Sequence, residues 1–386
     1  MKVPTEFDSI RPFEPEELPE VFDRLSTDPQ FKAVTGVVFP GVPFEALCAK
    51  MRQCRTNLDF QKAFCYGFLV NLLQKASTGC DIDLGGNDTA RRYTFVSNHR
   101  DIVLDSALLD KLLIDAGFTT TCEIAIGDNL LAAPWIKDLV RVNKSFIVKR
   151  SAGIREMLSN SRQLSEYMHF VIGEKNDNVW IAQREGRAKD SDDRTQESIL
   201  KMMAMGGEGS VPERLKQLHI VPLAISYEYD PCDFLKAREF QLKRDVEGWK
   251  KTKADDVQSM QTGIMGYKGR IHYHCAPCID GFLDRSDVGE LPKSEMFKTV
   301  AEHIDREIHR NYLLFPNNYV ALDLLEGGQR MAGHYSAEEK QRFEHYIAQQ
   351  LAKIDLQDAD EAFLRERMLT MYANPVRNQI KALAHD

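Results

Sequence analysis

Apolar positions recur with two different periods along this chain, and the places where the period changes mark its elements. Residues 93–96 form a short apolar run that Ser97 and Asn98 break. Immediately afterwards Val103, Leu104, Leu108, Leu109, Leu112 and Leu113 recur at helical spacing up to Gly117, which suits a C-terminal cap. The pattern predicts a strand running into a helix, and the alternation then repeats. Residues 93–97, 123–126, 146–149, 179–183, 220–226 and 270–275 read as strands. Helical spacing occupies 104–116, 132–141, 153–169 and 192–204, with a short turn at 212–217 and a charged helix at 234–250. The polar stretch 251–262 reads as a loop. Such alternation predicts an α/β core, with a mostly parallel mixed sheet flanked by helices.

Both flanks read as helical. A short helix can start at Pro19, a residue suited to a first helical position, and close before Pro29. Two amphipathic helices follow at 44–55 and 58–76, and 79–88 reads as a turn-rich linker with Gly85 and Gly86. This part is either a helical subdomain or a lid on the core. Toward the other end, helical spacing returns at 294–311, through Phe343, Ile347, Leu351 and Ile354, and from about 359 to 373. The expected division is an N-terminal helical region at 1–88, an α/β core at 89–292 and a C-terminal helical extension at 293–386.

Composition narrows the function classes. The formal net charge of -8 argues against a general nucleic-acid binder. The longest apolar stretch, 63–73, is interrupted by Gly67 and Asn71 and falls short of the ~18 residues of a membrane span. The first residues lack the apolar core of a signal peptide, so a cytoplasmic protein is expected. The eight cysteines show no disulfide-like regularity and read as free thiols. Cys275 and Cys278 are preceded by His272 and His274, but no second cysteine pair exists, and the alternation reads as a strand ending at Pro277. No metal site is expected there. His303 and His309 share a helix at a spacing unsuited to one metal, and read as surface residues. Residues 189–194 lack the glycine and terminal glutamate of a calcium loop, and read as a solvated loop leading into a helix. Nucleotide-binding glycine loops and the serine-elbow and zinc-protease motifs are absent.

Candidate chemistry gathers at strand ends, where parallel sheets bind ligands. His99 follows the first core strand, Arg150 the third, and Glu185, Gly186 and Arg187 the fourth. A carboxylate beside a histidine fixes its tautomer and supports the imidazolium, which makes the ring a general base. Asp105 falls in the first helical turn, where the helix dipole favours a carboxylate. Asp101 is the competing partner, better placed to cap that helix or pair with Arg100.

Four segments together resemble the ordered blocks of the glycerolipid acyltransferase superfamily, which includes glycerol-3-phosphate and lysophosphatidic acid acyltransferases. Ser97-Asn98-His99-Arg100-Asp101-Ile102-Val103-Leu104-Asp105 is similar to the His-x4-Asp block. Ser145-Phe146-Ile147-Val148-Lys149-Arg150 is similar to the apolar block ending in a basic residue. Ile181-Ala182-Gln183-Arg184-Glu185-Gly186-Arg187-Ala188-Lys189 is similar to Phe-Pro-Glu-Gly-x-Arg-Ser, and Ile220-Val221-Pro222-Leu223-Ala224-Ile225-Ser226-Tyr227-Glu228 to the apolar block with its proline. The resemblance covers roughly residues 90–280. It departs from the family in two places: five residues separate His99 from Asp105 where the family has four, and Arg187 follows Gly186 directly, with no proline before the glutamate.

The resemblance implies transfer of a fatty acyl chain to a hydroxyl of glycerol-3-phosphate or a lysophospholipid, in phospholipid biosynthesis. The donor would be acyl-acyl carrier protein or acyl-CoA, with no further cofactor. His99 would be the general base and Asp105 its partner. Arg150 and Arg187, with Lys149 nearby, would hold the acceptor phosphate, Glu185 would orient a neighbour, Gly186 would let the backbone approach the ligand, and Pro222 would lie in the substrate-binding set. An amino-lipid acceptor and a non-catalytic lipid-binding protein with a decayed site are the alternatives. The enzyme would work at the inner face of the membrane, and Leu130, Leu131, Trp135 and Ile136, near Lys137 and Arg141, form the expected contact.

Overall fold

Strands that are apolar on both faces must be covered on both, and this requirement organises the molecule. The structure, a computed structural model, describes residues 2–150 and 153–384. Seven strands form one sheet: β1 (Gly79–Asp83), β2 (Thr94–Ser97), β3 (Cys122–Gly127), β4 (Ser145–Val148), β5 (Asn178–Ala182), β6 (Ile220–Tyr227) and β7 (Arg270–Cys275). Their order is β1-β7-β6-β2-β5-β3-β4, parallel throughout except where β6 meets β7. Every residue of β2 and β6 is buried. Along β2 the side chains alternate, Val96 toward one apolar layer and Phe95 toward the other.

The N-terminal helices are α1 (Leu18–Thr27), α2 (Pro29–Val38), α3 (Phe44–Met51), α4 (Asn57–Phe60) and α5 (Gly67–Ala76), with a π-helical turn at Gln61–Tyr66 between the last two. The core adds α6 (Leu104–Asp115), α7 (Pro134–Val142), α8 (Ile154–Gly173), α9 (Glu197–Met203), α10 (Val211–Lys216), α11 (Asp233–Asp245) and α12 (Lys253–Met265). Short helices α13 (Asp280–Leu283) and α14 (Ser286–Gly289) lead into α15 (Lys293–Arg310), α16 (Pro316–Glu326), α17 (Ala337–Leu351) and α18 (Glu361–Leu383). Helices α8, α9 and α15 cover one face of the sheet, and α5 with α6 covers the other. A third apolar cluster joins α16, α17 and α18, and a fourth joins the first helices to α7.

The α/β core with helical flanks is as expected, but several local readings are corrected. Residues 79–83 are not linker but an edge strand, paired with β7. Its acidic and apolar side chains alternate, so no apolar run marks it; Cys80 and Ile82 pack on the core while Asp81 pairs with His272 and Arg270. The stretch read as a loop at 251–262 is mostly α12, started by a capping box between Thr252 and Asp255. Pro29 closes one helix and opens the next, because Asp28 accepts from the amides of Gln30 and Phe31. Helix α18 continues through Pro375 to Leu383.

Two surface assignments also fail. Asp193 and His309 are buried. The Asp193 carboxylate accepts from Arg100 at 2.7 Å and from the Tyr312 hydroxyl at 2.5 Å, and its carbonyl oxygen lies 2.9 Å from His309 Nε2. Burial pushes His309 down to about 4, so its ring is neutral at physiological pH. The loop at 189–194 is therefore an anchor between the core and the C-terminal helices.

Asp110 on α6 carries a stability signature. It is buried and accepts from Cys122 N at 2.8 Å and Gln61 Nε2 at 3.1 Å. Burial raises its pKa from 3.8 to about 7. The unfolded chain releases this proton near pH 4 and the folded chain only near pH 7. The folded state therefore loses stability as pH rises between those values, and the loss is complete above the higher one. Urea unfolding across pH, with Asp110→Asn as reference, should show wild-type stability falling relative to the variant by up to about 4 kcal/mol over that window. A difference that stays constant from pH 4 to 8 contradicts this titration.

Candidate active site

The candidate site stands where β2 ends between its two parallel neighbours. Beyond Ser97 the ladder is continued by side chains. Asn98 Oδ1 accepts from Ile225 N at 2.8 Å and its Nδ2 donates to Ile225 O at 2.9 Å, while Gln183 N donates to Ser97 O at 2.8 Å. These bonds fix the turn that carries His99 against both β6 and β5.

Within the turn, one carboxylate gathers the donors. Asp105 is fully buried, and its Oδ2 accepts from His99 Nδ1 at 2.8 Å, Arg100 N at 2.6 Å and Asp101 N at 3.0 Å. An ionised carboxylate can only accept, so the proton of the neutral imidazole sits on Nδ1. Nε2 is left with its lone pair, and it makes no hydrogen bond with the described residues. The edge of the ring meets Trp180 of β5, with centroids 5.7 Å apart, and Trp180 Nε1 donates to Ser97 Oγ at 3.1 Å. Tyr273 OH donates to Asp105 O at 2.9 Å.

Asp101 occupies a different place. Its Oδ1 accepts from Val103 N at 2.9 Å and Leu104 N at 2.8 Å, at the start of α6. Helix α12 closes over it at Gly263, where a Cβ would fall 1.9 Å from Asp101 Oδ2, so only glycine fits. Burial first, and then the charge of Asp105, raise the Asp101 pKa.

The other residues singled out in the sequence divide between two sides of the site. Arg150 and Glu185 form an exposed ion pair at 3.2 Å. Arg150 follows β4, the edge strand three positions from β2, which puts it roughly 14 Å along the sheet from the His99 turn. Lys149 Nζ donates to Ser9 Oγ at 2.8 Å and is not turned to His99. Gly186 has φ +70°, a left-handed turn that reverses the chain after Glu185. Arg187 then lies on the other side. Its charge acts on Asp101 and Asp230, and it lines a small cavity of mixed charge with Lys236, Arg238, Lys251, Glu239 and Asp255. Its Nη1 is buried without a hydrogen-bond partner. Pro222 is enclosed in β6, opposite Val96 of β2, and its carbonyl accepts from Ala276 N at 2.8 Å. It is neither at a sheet edge nor in contact with His99.

No sequence pattern marks an apolar cavity of about 310 Å³, because its walls come from distant segments. Its volume lies at the lower end of the ~300–1,000 Å³ usual for ligand pockets. Val103, Leu104, Ala107 and Ile114, in and just before α6, line one wall, and Val38, Phe39 and Phe68 are among the apolar residues facing them. Val103 and Leu104 directly precede Asp105, so the cavity runs along the same helix that holds Asp105, although His99 and Asp105 are not among its lining residues. The π-helical turn contributes Gln61, Phe64, Cys65 and Tyr66 to the wall. Such turns bulge a helix and often mark a ligand site.

Two further segments have partners of their own. Trp135 packs on Phe31, with centroids 6.0 Å apart, and donates to Gln30 Oε1 at 2.9 Å; Arg141 stacks over Phe13 at 4.0 Å. Trp135 of the 127–136 segment is thus engaged by α2, and Leu131 packs against the core of the sheet. Cys278 lies apart from His272 and His274 and instead meets His219 and Asp280, a group close enough to share an ion. Asp280 Oδ2 already lies 2.7 Å from His219 Nδ1, and Arg91 reaches that same nitrogen at 3.2 Å, so a cation is present beside it.

No known protein family and no curated protein matches this chain by sequence. Among solved structures, it is similar to the 1-acyl-sn-glycerophosphate acyltransferase PlsC of Thermotoga maritima, at 13% identity and a TM-score of 0.40, over 76% of this chain and 95% of that one.

Proposed function

We propose that this chain is an O-acyltransferase that moves a fatty acyl group from a thioester to a hydroxyl of a phosphate-bearing glycerol acceptor. The observation that carries the reading is the coupling of two features along α6. The His99–Asp105 pair stands at the helix start, and Leu104, Ala107 and Ile114 of the same helix line the apolar cavity. A base with its Nε2 available, at the start of a helix that lines a chamber shaped for hydrocarbon, fits attack by a hydroxyl on a fatty thioester. Nε2 takes the hydroxyl proton as the oxygen attacks the thioester carbonyl, and Asp105 supports the resulting imidazolium. Collapse of the tetrahedral intermediate breaks the C–S bond, and the imidazolium returns the proton to the thiolate. The ester and the free thiol are the products.

The acceptor is glycerol-3-phosphate or a lysophospholipid, and the donor is acyl-acyl carrier protein or acyl-CoA. Arg187 supplies the phosphate contact, because it has an unpaired buried N–H. Arg150 has a lesser part, since Glu185 already balances its charge at an exposed rim. No described helix is long and apolar enough to cross a membrane. In this reading the enzyme meets its lipid product from the surface, at the cytoplasmic face.

Three measurements test this reading. Removing a general base costs roughly 10²–10⁴ in rate, so His99→Ala should lose about that much turnover with its fold intact. Asp105→Asn should fall nearly as far, whereas Asp101→Asn, which can still cap α6, should lose clearly less. Full turnover by His99→Ala removes the acyltransferase reading, and a larger loss for Asp101→Asn reverses the choice of partner.

In steady-state kinetics, Arg187→Ala should raise the acceptor KM with little change in the donor KM. A charged hydrogen bond of this kind contributes about 1.5–3 kcal/mol, or tenfold and more in affinity. Arg150→Ala should have a smaller effect. Equal acceptor constants for wild type and Arg187→Ala place the phosphate elsewhere.

Ala107→Phe should obstruct the cavity one turn below its start. With thioesters of graded length, long chains should lose kcat/KM while short ones keep it. An unaltered chain-length profile in a folded variant would sink the role of this cavity.

A further inference from the structure

The first turns of α8 stand clear of the rest of the molecule. Every residue from Gly153 to Ser159 is exposed, so no side of the helix is packed there. Three of these residues are large and apolar: Ile154 at 77% exposure, Met157 at 51% and Leu158 at 53%. Their i, i+3, i+4 spacing places them on one face. Burial of such a face normally stabilises a helix end, yet among the described residues nothing buries it. Folding of the chain alone gives no reason for the stripe.

The charge around it indicates what covers it. Lys149, Arg150, Arg155 and Arg162 are accompanied within that span by a single acid, Glu156, in a chain of net charge -8. Arg150 is paired with Glu185 from outside the span, which leaves Lys149 and Arg155 without an ion pair among the described residues. Arg162 is paired only along its own helix, with Glu166 at 3.0 Å. A projecting helix end with an apolar face and a cationic collar matches an anionic bilayer surface, where the apolar face enters the headgroup boundary and the cations meet lipid phosphates. The stripe also follows the β4 end of the sheet, the same end from which His99 and Arg187 project.

We propose that the N-terminal turns of α8, through Ile154, Met157, Leu158 and Arg155, dock this protein on anionic membranes. The choice of lipid as partner rests on the acyltransferase reading, which places a lipid among the products, but the test does not need turnover. The full chain is floated with phosphatidylcholine vesicles, with and without phosphatidylglycerol. Wild type should bind the anionic vesicles and lose binding as salt rises. Replacing Ile154 and Leu158 together by Glu should weaken binding by about tenfold or more. Arg155→Glu should weaken binding to anionic vesicles only. These side chains are exposed, so the fold should survive, which circular dichroism checks. Turnover of a water-soluble short-chain thioester by the double variant should equal that of wild type. Loss of vesicle binding with that turnover kept supports the docking surface, and retained vesicle binding overturns it whatever the turnover. Wild type that binds no vesicles also overturns it. So does a double variant that keeps vesicle binding but loses self-association or binding to an acyl carrier protein, which assigns the stripe to a protein partner.

Discussion

A buried carboxylate holds the candidate site together. Asp105 is enclosed completely, and an ion in that position is tolerated only when hydrogen bonds replace its water. The His99 ring and two successive amides do this at Oδ2, while Oδ1 is buried without a hydrogen-bond partner among the described residues. The same bonds that solvate Asp105 fix the imidazole, set its tautomer and tie the turn to α6. Removing the carboxylate would leave three donors without an acceptor. The orientation of His99 and the local stability of the turn are therefore one property, and the extra residue between His99 and Asp105 is taken up in the loop between them without separating the pair.

The second constraint is Arg100. Burial works against its charge, but Asp193 and Tyr312 outweigh that and hold it ionised. Asp193 comes from the segment after β5, and Tyr312 from just beyond the end of α15, so one buried ion pair joins the His99 turn to the C-terminal helices. Lys236 of α11 adds a contact to the Arg100 carbonyl at 3.3 Å. The C-terminal extension is thus part of the support of the site. A helical tail that only covered the sheet would not need a buried charge at its junction.

What could be read from the sequence depended on whether the signal was local. Strands β2 and β6 are mostly apolar and α6 has a long periodic face, so each announces itself within a single window. The pairing of His99 with Asp105 spans six positions across one turn and could be argued from helix geometry. Strand β1 could not, because its reason for being a strand lies in β7, almost two hundred positions away, through Asp81 and His272. Helix α12 is polar along most of its length, and its importance rests on the missing side chain at Gly263, which lets it close over Asp101. Asp193 looked like part of a solvated run of charges because its partner Arg100 is 93 residues earlier. Arg150 and Arg187 both follow strands, but strand order, which no local pattern encodes, sends one to the sheet edge and the other toward β6.

The cavity shows how the N-terminal helices change what the core can do. A histidine at a strand end faces open solvent unless another layer encloses it. Here α2, α3 and the π-helical turn are set against α6, with Phe31, Phe60 and Leu139 tying them to α7. The π-helical turn bulges the helix where Phe64 and Tyr66 line the cavity. The chamber therefore depends on residues from both sides of β1, and neither the helical region nor the core would form it alone. Position 107 illustrates the point: an alanine on an otherwise leucine-rich helix is poor packing for a core, and good lining for a space that has to stay open.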